Sequence, residues 1–269
     1  MAYDFDSASG ISRKPVLKEI AGIFEFIGDA SMICWQSILR IFAGDVSLKD
    51  TLYQMASIGV NSLPIVIITA TFSGAVLALY ESQLLVQWGV GNLVGGGVSL
   101  SVVRELAPAL TAVVVAARAG SAITAEIGTM KVTEQIDALR ALATNPIQYL
   151  SVPRFIALVV MLPVLTMFGM IIGTFGGYVV ALRNGVSGAS FLYSTQTWLH
   201  PYDVEMGLLK TAVFGLFIAI VSVQQGLSAK DGAAGVGKNT MNSVVISMIL
   251  IYISNYFLAS LMFGPTSSY

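Results

Sequence analysis

Arg104 and Glu105 are adjacent charged residues within an otherwise apolar segment, SVVRELAPAL. In a helix that crosses a bilayer, a charge near the middle costs several kcal/mol unless it is paired or hydrated. Neighbouring side chains on a helix point about 100° apart, so these two need not pair with each other. Pro108 lacks a backbone donor and can bend the helix. Either a cavity that admits the headgroup of an amphiphile or a structural ion pair between helices would explain them. We favour the cavity, since an ion pair is an expensive way to pack helices in lipid.

A second group of charged residues lies between residues 120 and 154. The apolar residues there recur mostly at spacings of three, as on one face of an amphipathic helix: Ile127, Met130, Ile136, Leu139 and Leu142. Charged residues occupy other positions, and Asn145-Pro146 is typical of a helix end. The pattern predicts a helix over 126–142 that docks on a cytoplasmic partner. An interfacial helix without a partner would show the same pattern.

The segment Gly232–Lys238 matches the GxxxxGK pattern of a phosphate-binding loop. However, Asn239 stands where a Ser or Thr would hold Mg²⁺, and an apolar span precedes the motif where a strand is required. We therefore interpret it as a glycine-rich turn between two spans, and we do not expect the chain to be an ATPase.

Three further features have simple structural interpretations. Gly169, Gly173 and Gly177 lie four residues apart, a spacing that lets helices approach closely, either within the chain or between two copies. The single histidine, His200, is expected to be polar surface, and the single cysteine, Cys34, apolar filler.

The composition is that of a membrane protein. Of the 269 residues, 55% are hydrophobic and only 11% are charged, with a mean hydropathy of +0.79. A soluble domain carries about 25% charged residues, so soluble enzymes are excluded. The 14 basic and 15 acidic residues nearly cancel, which argues against a nucleic-acid partner. One cysteine and one histidine exclude an intramolecular disulfide and leave little basis for a metal centre.

The gaps between charges predict the membrane spans. A bilayer core of about 30 Å needs roughly 20 helical residues. Uncharged stretches therefore predict spans near 55–79, 156–181, 210–229 and 241–263, and a fifth near 97–119 contains Arg104 and Glu105. Residues 14–45 mix charged with aromatic and aliphatic side chains, which favours an amphipathic helix in the membrane interface over a plain cytoplasmic arm. We predict an all-α integral membrane protein with this interfacial helix and five transmembrane helices.

The distribution of Lys and Arg predicts the orientation. With the N-terminus inside, eleven of the 14 basic residues lie on the cytoplasmic side, and two, Arg183 and Lys210, lie outside near span ends. The C-terminus is then periplasmic. The first ten residues are acidic and polar, unlike a secretory signal. We divide the chain into an arm and interfacial helix at 1–45 and a five-span domain at 46–269.

The segment RELAPALTAVVVAARAGSAITAEIGTMKVTEQIDAL resembles the MlaE/YrbE permease family. These are membrane subunits of ABC lipid transporters that work with MCE-domain proteins, and the chloroplast lipid-import permease is a relative. The matching features are the RELxP step, AARAGSAITAEIG and the TEQ helix, followed by GAAGVGKNTMNSVV and the terminal MFG at Met262–Gly264. The resemblance covers about 45–264, whereas residues 1–44 match only in character.

The resemblance implies a homodimer in the cell inner membrane, or in the inner envelope if the source is a plastid lineage. It implies a separate cytoplasmic ABC ATPase that carries ATP and Mg²⁺, a periplasmic ring of MCE-domain proteins, and no cofactor in this chain. Arg104 and Glu105 would line the lipid cavity. The helix that contacts the ATPase, a coupling helix between the second and third spans, would contain Glu126, Gly128, Thr133, Glu134, Gln135 and Asp137.

The leading hypothesis is therefore the permease subunit of an ATP-driven phospholipid transporter. One alternative is a proton-coupled secondary transporter of an amphiphile, in which Glu105 carries the proton. Another is a membrane scaffold without transport activity. The predicted docking helix favours the first, since a proton-driven carrier needs no lever for an ATPase.

Overall fold

The computed structural model describes residues 13–44 and 46–263, and this part of the chain is helical without a strand. The α-helices are α1 (Arg13–Phe42), α2 (Leu48–Gln87), α3 (Val94–Ser101), α4 (Ala107–Val115), α5 (Ser121–Val132), α6 (Gln135–Ala141), α7 (Val152–Arg183), α8 (Gly188–Trp198), α9 (Pro201–Leu227) and α10 (Gly232–Phe263). π-helical turns occupy Val102–Leu106, Ala116–Gly120 and Ile147–Ser151. The predicted all-α class is confirmed.

Five helical segments of the described chain are long and apolar enough to cross a membrane, as predicted. We number them spans 1 to 5: Leu48–Gln87, Gly91–Val132, Ile147–Arg183, Pro201–Leu227 and Gly232–Phe263. All are longer than predicted at one end or both, because charged residues continue the helices beyond the uncharged stretches. At 1.5 Å per residue, span 1 is about 60 Å long, twice the thickness of a bilayer core.

Span 2 is one continuous helical rod, assembled from α3, α4 and α5 with two π turns between them. The prediction of a single helix over 126–142 is wrong. The rod ends at Val132, Glu134 adopts a left-handed conformation with φ of 60°, and the short helix α6 follows. A left-handed residue cannot continue an α-helix, so the chain reverses there. The segment 120–154 is thus the end of span 2, a hairpin and the start of span 3.

The glycine-rich turn predicted at Gly232–Lys238 is also wrong, because these residues form the first turns of α10. The chain turns earlier, at residues 228–231, where Asp231 has a φ of 62°. The motif is helical from Gly232, so it does not form the loop that a phosphate site requires.

Spans 1 and 3 pack backbone to backbone through small residues. A side chain on Gly74 would collide with the carbonyl oxygen of Gly173, and one on Gly177 would lie 3.3 Å from the carbonyl oxygen of Gly74. Toward span 2, a side chain on Gly177 would lie 2.7 Å from Val98, and one on Gly169 would lie 3.2 Å from Thr111. The regularly spaced glycines therefore serve contacts within the chain, and of the two interpretations left open by the sequence, intramolecular packing is the one observed.

Helix α1 forms over almost the predicted range but is not one of the five spans. Large apolar side chains remain exposed along it: Phe24, Ile27, Met32, Trp35, Leu39 and Phe42. Ile33 and Ser37 face inward, and Cys34 packs beside them against the core. Its location in the membrane interface stays a prediction. The arm at residues 1–12 and Gly264 of the terminal MFG motif lie outside the described residues.

Candidate functional site

Two ion pairs connect span 2 to α9. The Arg104 guanidinium contacts Oδ1 of Asp203 through Nη2 at 2.7 Å and through Nε at 2.8 Å. The Lys210 ammonium lies 3.0 Å from Oε1 of Glu105. Asp203 and Lys210 are seven residues apart, about two helical turns, so the adjacent residues Arg104 and Glu105 pair with different turns of α9 rather than with each other.

The start of α9 holds Asp203 in position. His200 is the N-cap residue, Pro201 is the first helical residue, and Asp203 stands at the third position. The backbone N–H of His200 donates to Oδ2 of Asp203 at 2.9 Å, which leaves Oδ1 for Arg104. Pro and Asp at these positions are typical of a helix start. His200, expected to be polar surface, is therefore part of the cap that supports the ion pair.

A π turn lies at the charged step of span 2. Pro108 has no N–H to donate to the carbonyl of residue 104, four positions earlier. The chain takes the wider turn Val102–Leu106 directly before Pro108 and then continues as α4 without a break. π turns inside α-helices are frequent at functional sites.

Helix α10 completes a group of six residues that we call the polar cluster. The amide of Asn255 donates to Oε2 of Glu105 at 2.8 Å. The ring of Phe263 lies under both cations, with its centre 4.6 Å from Cζ of Arg104 and 5.7 Å from Nζ of Lys210. The polar cluster consists of Arg104, Glu105, Asp203, Lys210, Asn255 and Phe263.

Two of these six residues, Arg104 and Glu105, were predicted from the sequence. Lys210 was expected near a span end, because the fourth predicted span begins at residue 210. Span 4 begins nine residues earlier, and Lys210 is fully buried within it. The Pro201–Asp203 helix start was a signal that could have located Lys210 correctly. Asn255 and Phe263 had no comparable signal, because each lies in an ordinary apolar run.

Exposure divides the polar cluster into two sides. On α9, the side chains of Asp203 and Lys210 are 2% and 0% exposed, whereas on span 2 those of Arg104 and Glu105 are 29% and 41% exposed. Burial of a charge is costly without a partner, and each buried charge here has one. The two exposed partners form a polar edge on the surface of span 2. Of the two alternatives that the sequence offered, the ion pair between helices is present, and the lipid cavity stays a prediction.

The residues predicted to contact the ATPase are about 32 Å from the polar cluster, measured along span 2 from Glu105 to Glu126 at 1.5 Å per residue. Glu126 is half-exposed and pairs with Arg154 at 2.8 Å. Gly128 faces the interior, where an added side chain would lie 3.3 Å from Ala229 and from Val236. Gly128 is thus a packing position rather than part of an exposed surface.

The other four predicted residues are exposed: Thr133, Glu134, Gln135 and Asp137. They lie in the segment 133–146 between spans 2 and 3, which contains α6 and which we call the α6 hairpin. The amide of Gln135 donates to the hydroxyl of Thr133 at 3.0 Å. Asp137 pairs with Arg140 at 3.0 Å. Ile136 alone of this helix is fully buried and attaches it to the core. Glu134, in the left-handed turn, and Asp137 are exposed carboxylates, and Asp137 also lies 3.8 Å from the ammonium group of Lys131.

Comparison with known proteins identifies the family. Residues 51–261 match the sequence model of the family described as Permease MlaE. A probable ABC transporter permease protein of Synechocystis sp. is 44% identical over 244 residues, which are 90% of this chain and 93% of that protein. Another, from Rickettsia prowazekii, is 43% identical over 238 residues, 88% of this chain and 92% of its own length.

A plant relative is similar over most of the same region. The protein TRIGALACTOSYLDIACYLGLYCEROL 1, chloroplastic, of Arabidopsis thaliana is 37% identical over 235 residues, which are 86% of this chain and 67% of the plant protein. The family match reaches all five spans and includes the α6 hairpin and every residue of the polar cluster except Phe263. The chain therefore belongs to the MlaE permease family.

Proposed function

We propose that this chain is the permease subunit of an ABC transporter that moves phospholipids between the inner membrane and an MCE-protein conduit on the outer side. The observation that carries the proposal is the exposed edge of the polar cluster, formed by Arg104 and Glu105 within a helix apolar enough to cross a membrane. A site for a two-tailed lipid needs apolar walls and a small, fixed polar patch. One cation and one anion at this edge offer partners to a phosphate and to an amine.

The uneven burial of the spans supports a homodimer. In its most apolar stretch α10 is 11% buried, compared with 56% for α9. Aromatic and aliphatic side chains remain exposed along α10: Met241, Val245, Ile249, Tyr252, Ile253, Tyr256, Phe257 and Leu261. Because Asn255 on this helix contacts Glu105, a second copy packed against α10 would bring two polar edges toward one shared cavity.

Transport energy comes, in this proposal, from a cytoplasmic ATPase that binds ATP and Mg²⁺. The exposed surface of the α6 hairpin, with Glu134 and Asp137, is its proposed contact. Span 2 connects this hairpin to the polar cluster as one continuous helix, so a movement at one end can be transmitted to the other. Rigid-body displacement of helices is a common way to gate a transport site.

The first experiment is mild purification of the tagged chain from its native membrane, with identification of the proteins and lipids that accompany it. The proposal predicts an ABC ATPase, an MCE-domain protein and bound phospholipid. Reproducible isolation of the chain without an ATPase would refute it.

A pair of double variants tests the docking surface. Glu134→Lys with Asp137→Lys is expected to release the ATPase, because two charges on the proposed contact are reversed. Glu25→Lys with Asp29→Lys makes the same change of charge on the exposed side of α1 and is expected to retain it. Equal ATPase retention in both variants would contradict the assignment of the hairpin.

A proton-coupled carrier that uses Glu105 is the less favoured function. Both oxygens of Glu105 already accept contacts, from Lys210 and from Asn255, and the relatives are named as ABC transporter permeases. Lipid movement in proteoliposomes that requires ATP and no pH gradient is the expected result. Movement driven by a pH gradient without ATP would favour the carrier.

A further inference from the structure

Arg154 is a charged residue that is almost completely buried at the start of span 3. Its side chain is 5% exposed, and Nη2 lies 2.8 Å from Oε1 of Glu126. Nη1 donates to the carbonyl oxygen of Leu150 at 2.7 Å. Nε has no hydrogen-bond partner within the described residues. Hydrogen bonds between an arginine and a carboxylate are among the strongest in proteins, and burial strengthens them further.

These contacts connect the two helices on either side of the α6 hairpin. Glu126 lies in the last two turns of span 2, Leu150 in the π turn Ile147–Ser151, and Arg154 in the first turn of α7. The chain between Glu126 and Arg154 contains the whole hairpin. The ion pair of Arg154 with Glu126 therefore joins the two ends of the segment that carries the proposed ATPase contact.

The surroundings leave space for movement on one side of this contact. A cavity of about 300 Å³ is lined by Asp50, Tyr53, Glu126, Tyr149 and Arg154. The end of span 2 is thus not packed tightly against the starts of α2 and α7 at this level. Among the described residues α5 and α7 make few direct contacts, so the ion pair is well placed to carry force between them.

Movement of α7 cannot remain confined to α7. Its backbone touches that of α2 at Gly74 and Gly173, where no side chain separates the two helices. Closely packed helices have discrete arrangements and transmit displacement instead of absorbing it. A shift passed to the start of α7 would therefore displace spans 1 and 3 together.

We propose that Arg154 is a positioning residue that transmits movement of the α6 hairpin into span 3 through its ion pair with Glu126. The inference rests on the proposed function, because it takes the hairpin as the contact of the ATPase. It assigns Glu126 to a contact within the chain, between span 2 and span 3. Without the pair, the end of span 2 moves while α7 stays in place.

The test compares Arg154→Met, Glu126→Gln and the exchanged pair Glu126→Arg with Arg154→Glu, each in the complex purified with its ATPase from the native membrane. A matched control, Lys49→Met, removes an exposed positive charge at the start of α2, outside the hairpin, and leaves the Arg154–Glu126 pair intact. ATPase retention, ATP hydrolysis and lipid moved per ATP are measured for every variant.

A fourth measurement does not depend on lipid. Spin labels on Arg183→Cys and Leu261→Cys, in a Cys34→Ser background, report the distance between the ends of α7 and α10 farthest from the hairpin. The change in this distance when ATP and vanadate are added reports whether movement reaches span 3.

Both single variants are expected to retain the ATPase and to hydrolyse ATP, while lipid moved per ATP falls about tenfold and the distance change disappears. The exchanged pair is expected to restore both, and Lys49→Met to behave as wild type. If Arg154→Met does not accumulate, Glu126→Gln tests the same pair from its half-exposed side.

Three results separate the inference from the proposed function. A wild-type distance change in both single variants would overturn the inference, and so would loss of the ATPase from Glu126→Gln, which would make Glu126 a direct contact. If the wild-type complex shows the distance change but moves no phospholipid, the proposed substrate is wrong. The distance measurement then still decides whether Arg154 transmits movement.

Discussion

Replacement of Glu105 by leucine separates the structural role of the polar cluster from its role toward lipid. The substitution leaves Lys210 without its only described anionic partner in a fully buried position, 3.0 Å from the lost oxygen. It also removes the acceptor of the Asn255 amide. We expect the variant to assemble, to unfold at a lower temperature and to bind less phospholipid.

The magnitude follows from burial. Removal of one partner from a buried ion pair costs about 3–5 kcal/mol. Since the Glu105 side chain is 41% exposed, solvent screens part of the interaction, and we expect a loss of about 2–3 kcal/mol. For a chain of this length, 1 kcal/mol corresponds to about 2–4 °C in Tm, so the expected decrease is about 5–10 °C.

The double variant Glu105→Leu with Lys210→Met is the matched control. It removes both charges, and replacement of a buried ion pair by apolar side chains is often neutral. We expect Tm to return to within about 3 °C of wild type. Bound phospholipid is expected to stay low, because the polar edge is still incomplete.

The assay is thermal unfolding of the purified protein in mild detergent, with phospholipid per chain measured by mass spectrometry on the same samples. A single variant as stable as wild type would refute the buried-pair reasoning. A double variant with wild-type lipid content would refute the assignment of Glu105 to the lipid site.

Three further substitutions test other parts of the structure, two by the same thermal assay and one by folding yield. Asp203→Asn weakens both the Arg104 pair and the cap of α9 and is expected to cost about 3 kcal/mol. Glu205→Gln, an exposed position two residues along α9, should change little, and equal effects would contradict the role of the cap. Gly74→Ala places a methyl group on the backbone of span 3 and should reduce folding yield strongly, while Gly28→Ala, with open space around it, should not. The buried oxygen of Glu81 lacks a hydrogen-bond partner among the described residues, so Glu81→Gln should leave Tm unchanged or raise it, and a clear decrease would reveal an unrecognised partner.

Several features of the fold could be predicted from local signals. The number of spans followed from the absence of charges over about 20 residues, because hydrocarbon tolerates few unpaired charges whatever the neighbouring helices do. Helix α1 followed from its mixture of aromatic and charged side chains. The predicted ends were less accurate, because charged residues are tolerated once a helix leaves the hydrocarbon, and α2 continues past Glu81 to Gln87.

Local patterns failed where a backbone turn decided the structure. The periodicity of apolar residues over 126–142 continues across Thr133 and Glu134, yet the helix ends there because Glu134 takes a left-handed conformation. Glutamate has no strong preference for that conformation, so no residue type marks the end of the helix there. The opposite error occurred at Gly232–Lys238, which was expected to be a turn because it is rich in glycine, although glycine permits a turn and does not require one.

Sequence alone is enough to show that this is a five-span membrane protein, that Arg104 and Glu105 are exceptional within it, and which family the chain resembles. Each of these depends on residue type and on spacing along one helix. The partners of the two charges, in contrast, depend on the tertiary structure. Asp203, Lys210 and Asn255 lie 99, 105 and 150 residues from their partners in span 2, and contact across such separations depends on how helices pack. The same holds for Arg154 and Glu126, whose pairing becomes visible only when spans 2 and 3 lie side by side.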